Sequence, residues 1–320
     1  TAWATNAPPD WLVVGLTKQS DVRFYASTNY LPYGFGDYRY KTTELLMRRI
    51  PAAGVVWTMG SDPVESAYDA TRDIRHRVML TEDYYMGVYE VTQGQYTNMC
   101  NKVNYSLWAF ANKDKFDMMS CDYWRDITDT SVLPVDNVGM VALRGMTGKY
   151  DNPDDLWFPQ DGHRLVPTSA IGQLRAKSGL DGFDLPTSAQ WEFACRAGTT
   201  GSTYFNGDLD KIAWTSRNAT SLQPVGLLRP NAWGIYDMLG SKIEFVLDKR
   251  IENQTLSGDP QLDPFGPTAD DGKNGRIVRG GSYAWDEADN RSAWSYHVVA
   301  HQNDDYRGGR LCCPVSLKFD

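Results

Sequence analysis

A chain of 320 residues, 42% of them hydrophobic, can fill one large core or two ordinary ones and reads as globular. Its formal charge of −8 supplies no basic stripe to neutralise phosphates, which argues against nucleic acid and against an anionic membrane as partners. Eleven Trp, eighteen Tyr and 28 Gly, with few long amphipathic runs, favour an irregular, loop-rich α+β fold over a helical bundle or a doubly wound sheet.

The chain opens on Thr1 rather than an initiator Met, so a processed or trimmed start is expected, one that could have lost a secretion signal or lipid anchor. No apolar run approaches the roughly 18 to 20 residues that span a bilayer. Residues 1–49 are polar, Tyr-rich and without clear periodicity; they read as an N-terminal extension packed on or leading into the domain, ending in a short helical candidate over 42–49. A compact domain is expected over 50–320. Val55-Val56-Trp57-Thr58-Met59-Gly60 reads as a strand closed by a glycine turn, and 75–80 and 84–89 read as further strands.

Thr92-Gln93-Gly94-Gln95 and Thr187-Ser188-Ala189-Gln190 are capping boxes, in which Thr and Gln side chains satisfy backbone N–H groups at a helix start. In the helices that follow, Tyr96, Met99 and Cys100, and then Trp191, Ala194 and Cys195, fall on one face, so each helix should pack on a sheet. Gly198 is a natural left-handed stop for the second. Residues 143–180 and 252–275 lack periodic order and read as long surface loops or insertions; Asp270-Asp271-Gly272 and Asn274-Gly275 are turn signals.

The tail over 311–317 reads as a strand, with Pro314 at an edge or bulge. Cys312 and Cys313 would point to opposite faces of it, one thiol buried and one at the edge. With Cys100, Cys121 and Cys195 they are too few and too irregular for a disulfide framework, and at most one ordinary bridge is expected. Cys195 is read as a small core residue rather than a nucleophile. Before this tail, Arg279-Gly280-Gly281-Ser282-Tyr283 and Gly309-Arg310-Leu311 bracket a run rich in Asp, Asn, Tyr, His, Ser and Ala. Strand-like anchors around adaptable polar and aromatic residues describe a scaffold holding up a binding surface.

Four phrases recur together: Tyr84-Tyr85-Met86-Gly87-Val88-Tyr89-Glu90-Val91-Thr92; the run from Leu185-Pro186-Thr187 through Gln190-Trp191-Glu192-Phe193 to Arg196-Ala197-Gly198; Pro230-Asn231-Ala232-Trp233-Gly234-Ile235-Tyr236-Asp237-Met238-Leu239-Gly240; and Arg279-Gly280-Gly281-Ser282-Tyr283. Their order and wording resemble the formylglycine-generating enzyme family over residues 50–318. The resemblance implies an α+β, C-type-lectin-like fold with little regular secondary structure. It does not carry the chemistry. In catalytic members two cysteines after the Gly-Gly-Ser-Tyr phrase bind copper, and the matching positions here are Trp285 and Asn290, neither of which supplies a thiolate. No enzyme activity, cofactor or metal is therefore expected. Related iron enzymes with three His ligands fit no better, since His76, His163, His297 and His301 form no helical cluster. Family members often build calcium sites after the Asp-Met phrase, but Gly240-Ser241-Lys242-Ile243-Glu244 brings in a positive charge and replaces an amide oxygen. His297-Val298-Val299-Ala300-His301 has metal-helix spacing without the glutamate of a zinc protease, and the acidic group Asp263, Asp270 and Asp271 is read as a solvated loop.

A second branch of the resemblance fits the closing run better. It is similar to the variable proteins of diversity-generating retroelements, the treponemal ones especially, which use this lectin-like fold and end in a hypervariable segment. Such systems copy template adenines to any base, mostly in Asn codons, a route that reaches Asp, His, Tyr, Ser, Gly, Ala and Val but not Trp, Glu, Gln, Met or Lys. In a ligand-binding region over about 280–310, the resemblance thus implies variable candidates Ala284, Asp286, Ala288, Asp289, Asn290, Ser295, Tyr296, His297, Ala300, His301, Asn303, Asp304, Asp305 and Tyr306. Trp285, Glu287, Trp294 and Gln302 fall to the scaffold, with Arg279, Gly280, Gly281, Arg291 and Arg310 as internal support. The protein so implied is a non-catalytic display protein at the bacterial cell surface, expected to be a lipoprotein, with a variable ligand that site composition points to being protein. The alternatives are a formylglycine-generating-type oxidase using other residues, a noncatalytic paralogue regulating one, or a polar loop that drifted after catalysis was lost.

Overall fold

The computed structural model describes residues 8–65, 67–101, 129–136, 138–145, 165–249, 259–265, 275–299 and 306–316. In chain order the strands are β1 (Trp11–Gly15), β2 (Val22–Tyr25), β3 (Glu44–Ile50), β4 (Val56–Met59), β5 (His76–Met79) and β6 (Tyr84–Gly87). After helices α1 (Gln93–Cys100), α2 (Met140–Arg144), α3 (Ala170–Ser178) and α4 (Ser188–Arg196) come β7 (Ala213–Trp214), β8 (Leu239–Gly240), β9 (Ile243–Lys249) and β10 (Gln261–Leu262). The last strands are β11 (Gly275–Arg279), β12 (Ser295–Val299), β13 (Arg307–Gly309) and β14 (Cys312–Pro314).

A five-stranded antiparallel sheet, in the order β14-β6-β3-β1-β2, divides the molecule. Alternation along its strands feeds two sides, because successive side chains on a strand point oppositely. Leu12, Val14, Leu45, Met47 and Tyr85 join a core with α1, α2 and α3. Ile50, Tyr84 and Met86 face a core built around Trp191, Ala194 and Cys195 of α4, while Trp11, Val13 and Leu46 join a third cluster. A four-stranded sheet, β12-β11-β9-β13, a three-stranded β10-β5-β4 and the short pair β7-β8 complete the described architecture.

Both capping boxes form. Thr92 Oγ1 accepts from Gln95 N at 3.1 Å and Gln95 Oε1 from Thr92 N at 3.1 Å; Thr187 and Gln190 exchange the same bonds at 3.2 and 2.9 Å. Helix α4 turns left-handed at Ala197, φ 45°, followed by Gly198 at φ 90°.

Several expectations are corrected. The 42–49 segment is not a helix: Glu44-Leu-Leu-Met-Arg-Arg-Ile50 is the central strand β3, and burial of both its faces makes a continuous apolar run that helix-forming residues can mimic. Residues 11–50 are therefore part of the sheet rather than an extension, and a boundary at Ile50 would fall at the end of a central strand. Within 143–180 lies α3, capped by Ser169 at 3.1 Å and stopped at Gly179, φ 74°; Ile171 and Leu174 are fully buried, so this is core, not surface loop. Cys312 and Cys313 do take opposite faces, but both are buried, in different cores, and neither is an edge thiol. Cys100, Cys195, Cys312 and Cys313 are free thiols. Cys121, Asp270, Asp271 and most of the expected loop over 252–275 lie outside the described residues.

Candidate functional site

The closing run is carried by β11, which antiparallel β12 pairs with in the register Arg279↔Ser295 and Ile277↔His297. Between them the chain passes Gly280 and Gly281, at φ 94° and 76°, and a single 3-10 turn at Glu287–Asp289. Asp286 caps that turn, its Oδ1 accepting from Ala288 N at 3.0 Å. A Cβ on Gly281 would lie 2.7 Å from Asp289 O, so the positive φ and the close approach both demand glycine there.

Two arginines, Arg291 at Ala288 and Arg279 at Ala293, hold this turn and its exit, and a third, Arg310, ties the strand that follows to the core. Arg279, buried, donates to Glu192 Oε2 at 3.0 Å, to Ala293 O at 3.0 Å and to Ser188 Oγ at 2.6 and 2.9 Å. Arg291 donates to Ala288 O at 2.8 Å, Ser61 Oγ at 2.9 Å, Ala67 O at 2.7 Å and Asp73 Oδ2 at 2.9 Å. Arg310, fully buried, meets Glu244 Oε1 at 2.7 Å, Gly87 O at 3.0 Å and Tyr236 O at 2.9 Å. Their planar forks suit several carbonyl and carboxylate oxygens at once. Trp294 is buried, its Nε1 donating to Asp289 Oδ1 at 2.8 Å, and Trp285 packs edge-on against it at 5.2 Å.

On this base Ala284, Asp286 and Ala288 are exposed, Asp289 and His297 half-buried, and Tyr296 and Tyr306 are 41% and 38% exposed. Tyr296 stacks on Trp294 at 6.2 Å and lies 5.0 Å from the His297 ring; Tyr306 leans on Tyr283 at 6.0 Å. Asp286, Ala288 and Glu287 border a groove of about 690 Å³ whose far side is Glu65, Thr203, Phe205 and Arg217.

Two candidates do not belong on the surface. Asn290 is 0% exposed; its amide donates back to Asp286 O at 2.6 Å and its oxygen fills the space that glycine leaves at position 281. Ser295 is buried as the ladder partner of Arg279 and faces inward. Glu287, placed in the scaffold by its codon, is exposed and ion-paired with Arg217. Ala300, His301, Gln302, Asn303, Asp304 and Asp305 lie outside the described residues, and with His301 the spacing from His297. Asp263 accepts from Thr81 N at 2.8 Å and from the Thr81 hydroxyl, a turn contact.

Sequence reasoning missed the carboxylates that hold the arginines, Glu192, Glu244 and Asp73. Glu192 had one local signal, its (i, i+4) pairing with Arg196 at 2.8 Å; the others come from strands and loops far away in sequence. Beside Arg310, burial pushes Glu90 well above the usual carboxylate range, with Glu244 adding repulsion, and burial raises Asp237 to about 6. Ser241 Oγ and Lys242 N donate to Glu90 at 2.8 and 3.0 Å, so the segment after the Asp-Met phrase bonds this carboxyl group directly. Burial lifts the Cys195 thiol to about 12 and raises Cys312 well above the ordinary thiol range, so neither is a thiolate at neutral pH. Among the described residues no group of three or more His, Cys, Asp or Glu is placed to hold a metal ion.

A family model described as sulfatase-modifying factor enzyme 1-like domain matches residues 47–313. The chain is 24% identical over 257 residues to the mouse formylglycine-generating enzyme, covering 74% of this chain and 66% of that protein, and the bovine protein matches alike. The chain thus spans just under two thirds of these relatives' length. The Streptomyces coelicolor formylglycine-generating enzyme is 30% identical over 115 residues, 31% of this chain and 35% of that one. Among solved structures, Treponema denticola variable protein 1 superposes with a TM-score of 0.61 at 21% identity over 86% of this chain and 97% of that one. PvdO from Pseudomonas aeruginosa gives 0.58 at 18% identity, over 84% and 94%.

Proposed function

Since this chain belongs to the family of sulfatase-modifying factor enzyme 1-like domains, with its C-type-lectin-like α+β fold, we propose that it is a non-catalytic ligand-binding display protein. Its contact face is formed by Ala284, Asp286, Ala288, Tyr296, His297 and Tyr306, and a retroelement diversifies it. The observation that carries this reading is the division of the closing run into exposed tips on a buried, hydrogen-bonded base. Tyr296 and Tyr306 offer flat amphipathic area at low entropy cost, while Arg279 and Arg291 below hold the backbone at Ala293 and Ala288 whatever the tips become. The ligand class is protein, and the chain sits at a bacterial cell surface as a lipoprotein.

Copper does not fit the residues present. On the family's spacing its two thiolates would come from positions 285 and 290, where Trp285 packs on Trp294 and Asn290 is buried against Gly281.

The test is a library randomised at Ala284, Asp286, Ala288, Tyr296 and Tyr306 and selected against hen lysozyme. Most members should fold, and binders should emerge with contacts at these positions; a library that mostly fails to fold contradicts the reading. Family membership supports a second reading, an oxidase of the formylglycine-generating type or its noncatalytic regulatory paralogue. Incubation with a cysteine-containing sulfatase peptide, oxygen and copper decides the oxidase: formylglycine in the peptide would establish it, and neither product nor bound copper would remove it.

A further inference from the structure

Strand β12 also walls a cavity of about 290 Å³, bounded by α4, β4, β5, β10 and β11, which shares only Tyr296 and His297 with the display face. Its closed end is the buried pair Arg279–Glu192, 3.0 Å apart and saturated by Ser188 and Ala293. At its open end the Arg72 guanidinium lies 5.7 Å over the ring of Tyr296, which is 41% exposed. Ile277 and Phe265 contribute apolar wall.

The lining is charged against the trend of the molecule. In a chain of net charge −8, Arg72, Lys249 and Arg279 outnumber Glu192 and Asp248 in the lining. The Ile74 carbonyl lies 2.8 Å from His76 Nδ1, so Nδ1 donates there and Nε2 of the neutral ring is an acceptor. Among the described residues the Gln261 amide and the Tyr296 hydroxyl make no hydrogen bond, although both border the cavity.

We propose that this cavity binds a small planar organic acid. Its ring lies against Tyr296, Phe265 and Ile277, and its carboxylate meets Arg72. The volume, near the lower end of ligand pockets at about 300 Å³, suits a single ring with one acidic group. A carboxylate answers the guanidinium with charge-assisted hydrogen bonds, and apolar wall with few convergent polar groups is the usual make-up of such sites. The site stands independently of the display reading. Where both hold, substitution at Tyr296 or His297 retunes the cavity along with the outer face.

The test is fluorine NMR titration of the full chain with p-fluorobenzoate, compared with p-fluorobenzamide and p-fluorobenzamidine. The acid should bind at least about tenfold more tightly than the amide or the amidine, a preference of the size one charged contact supplies. Arg72→Gln and Ile277→Trp, the latter filling the cavity, should each weaken it at least about tenfold, while Asp286→Ala on the display face leaves it unchanged. Arg72 is on the rim, with Asp69 as its one ion-pair partner among the described residues, so Arg72→Gln should keep its melting temperature and remain informative even if Ile277→Trp does not fold. Equal binding of acid and amide, indifference to Arg72→Gln in the folded variant, or no saturable binding in the millimolar range overturns the proposal.

Discussion

Arg291 and Tyr296 stand five residues apart in the same run and answer to different physics. Arg291 is the guanidinium partner of Asp73, which is 2% exposed, and it also ties Ala288 to Ser61 and Ala67. Arg291→Ala leaves a buried carboxylate uncompensated and should cost about 3–5 kcal/mol, read from the urea midpoint. Tyr296→Ala removes a ring that is 41% exposed and should cost less than about 1 kcal/mol, with a nearly unchanged melting temperature. A large loss there would place Tyr296 in the core. Asp237 gives a pH signature. Burial raises it to about 6 in the folded chain from an ordinary 3.8, so between these values the folded state holds the extra proton. Its contribution therefore favours folding at low pH and is lost as pH rises through about 6. Asp237→Asn keeps an oxygen for Gly226 N, which donates at 2.7 Å, and should flatten the difference in stability between pH 4 and pH 7 relative to the parent chain. An unchanged difference would mean Asp237 does not carry it. Asn290 shows where reading residue by residue fails: codon reachability marks it as variable, but its burial is set by the backbone path through Gly281, which no codon records.

The two capping boxes were legible because their signal is local: a Thr and a Gln three residues apart satisfy N–H groups within one turn. Thr187→Ala should cost about 1 kcal/mol by thermal unfolding, with Thr187→Ser restoring most of it; no effect would mean that packing of α4 alone sets its start. Strand β3 was not legible for the opposite reason. Glu44, Leu45, Leu46, Met47 and the arginines that follow are good helix formers, and only the strands on either side, β1 and β6, make the segment a strand with both faces buried. Helix α3 was hidden because its buried face, Ile171 and Leu174, is short and its surroundings are rich in Gly, Pro and Lys.

Taken as a whole, the molecule is organised around a sheet whose members come from both ends of the chain: β1, β2 and β3 on one side of β6 and β14 on the other. A chain beginning at residue 50 would lose β1, β2 and nearly all of β3, exposing Tyr85 and Met86 along an open edge. It should fail to give a cooperative thermal transition; a cooperative transition like that of the full chain would show that 1–49 is dispensable. The resemblance in the motifs told the fold class from sequence, and composition told that loops dominate. What separates tips from base in the closing run came only with burial and partners, since Arg279, Arg291 and Arg310 find their carboxylates far away in sequence.

The DNA around the gene is where a diversified binding face leaves its record. Sequencing it should reveal a near-copy of the segment encoding about residues 280–310, differing at adenines alone. The differences should fall in the codons of Ala284, Asp286, Ala288, Tyr296 and Tyr306 and spare those of Trp285, Arg291 and Trp294. No such repeat, or one whose differences ignore adenines and strike the buried positions, contradicts the proposed function.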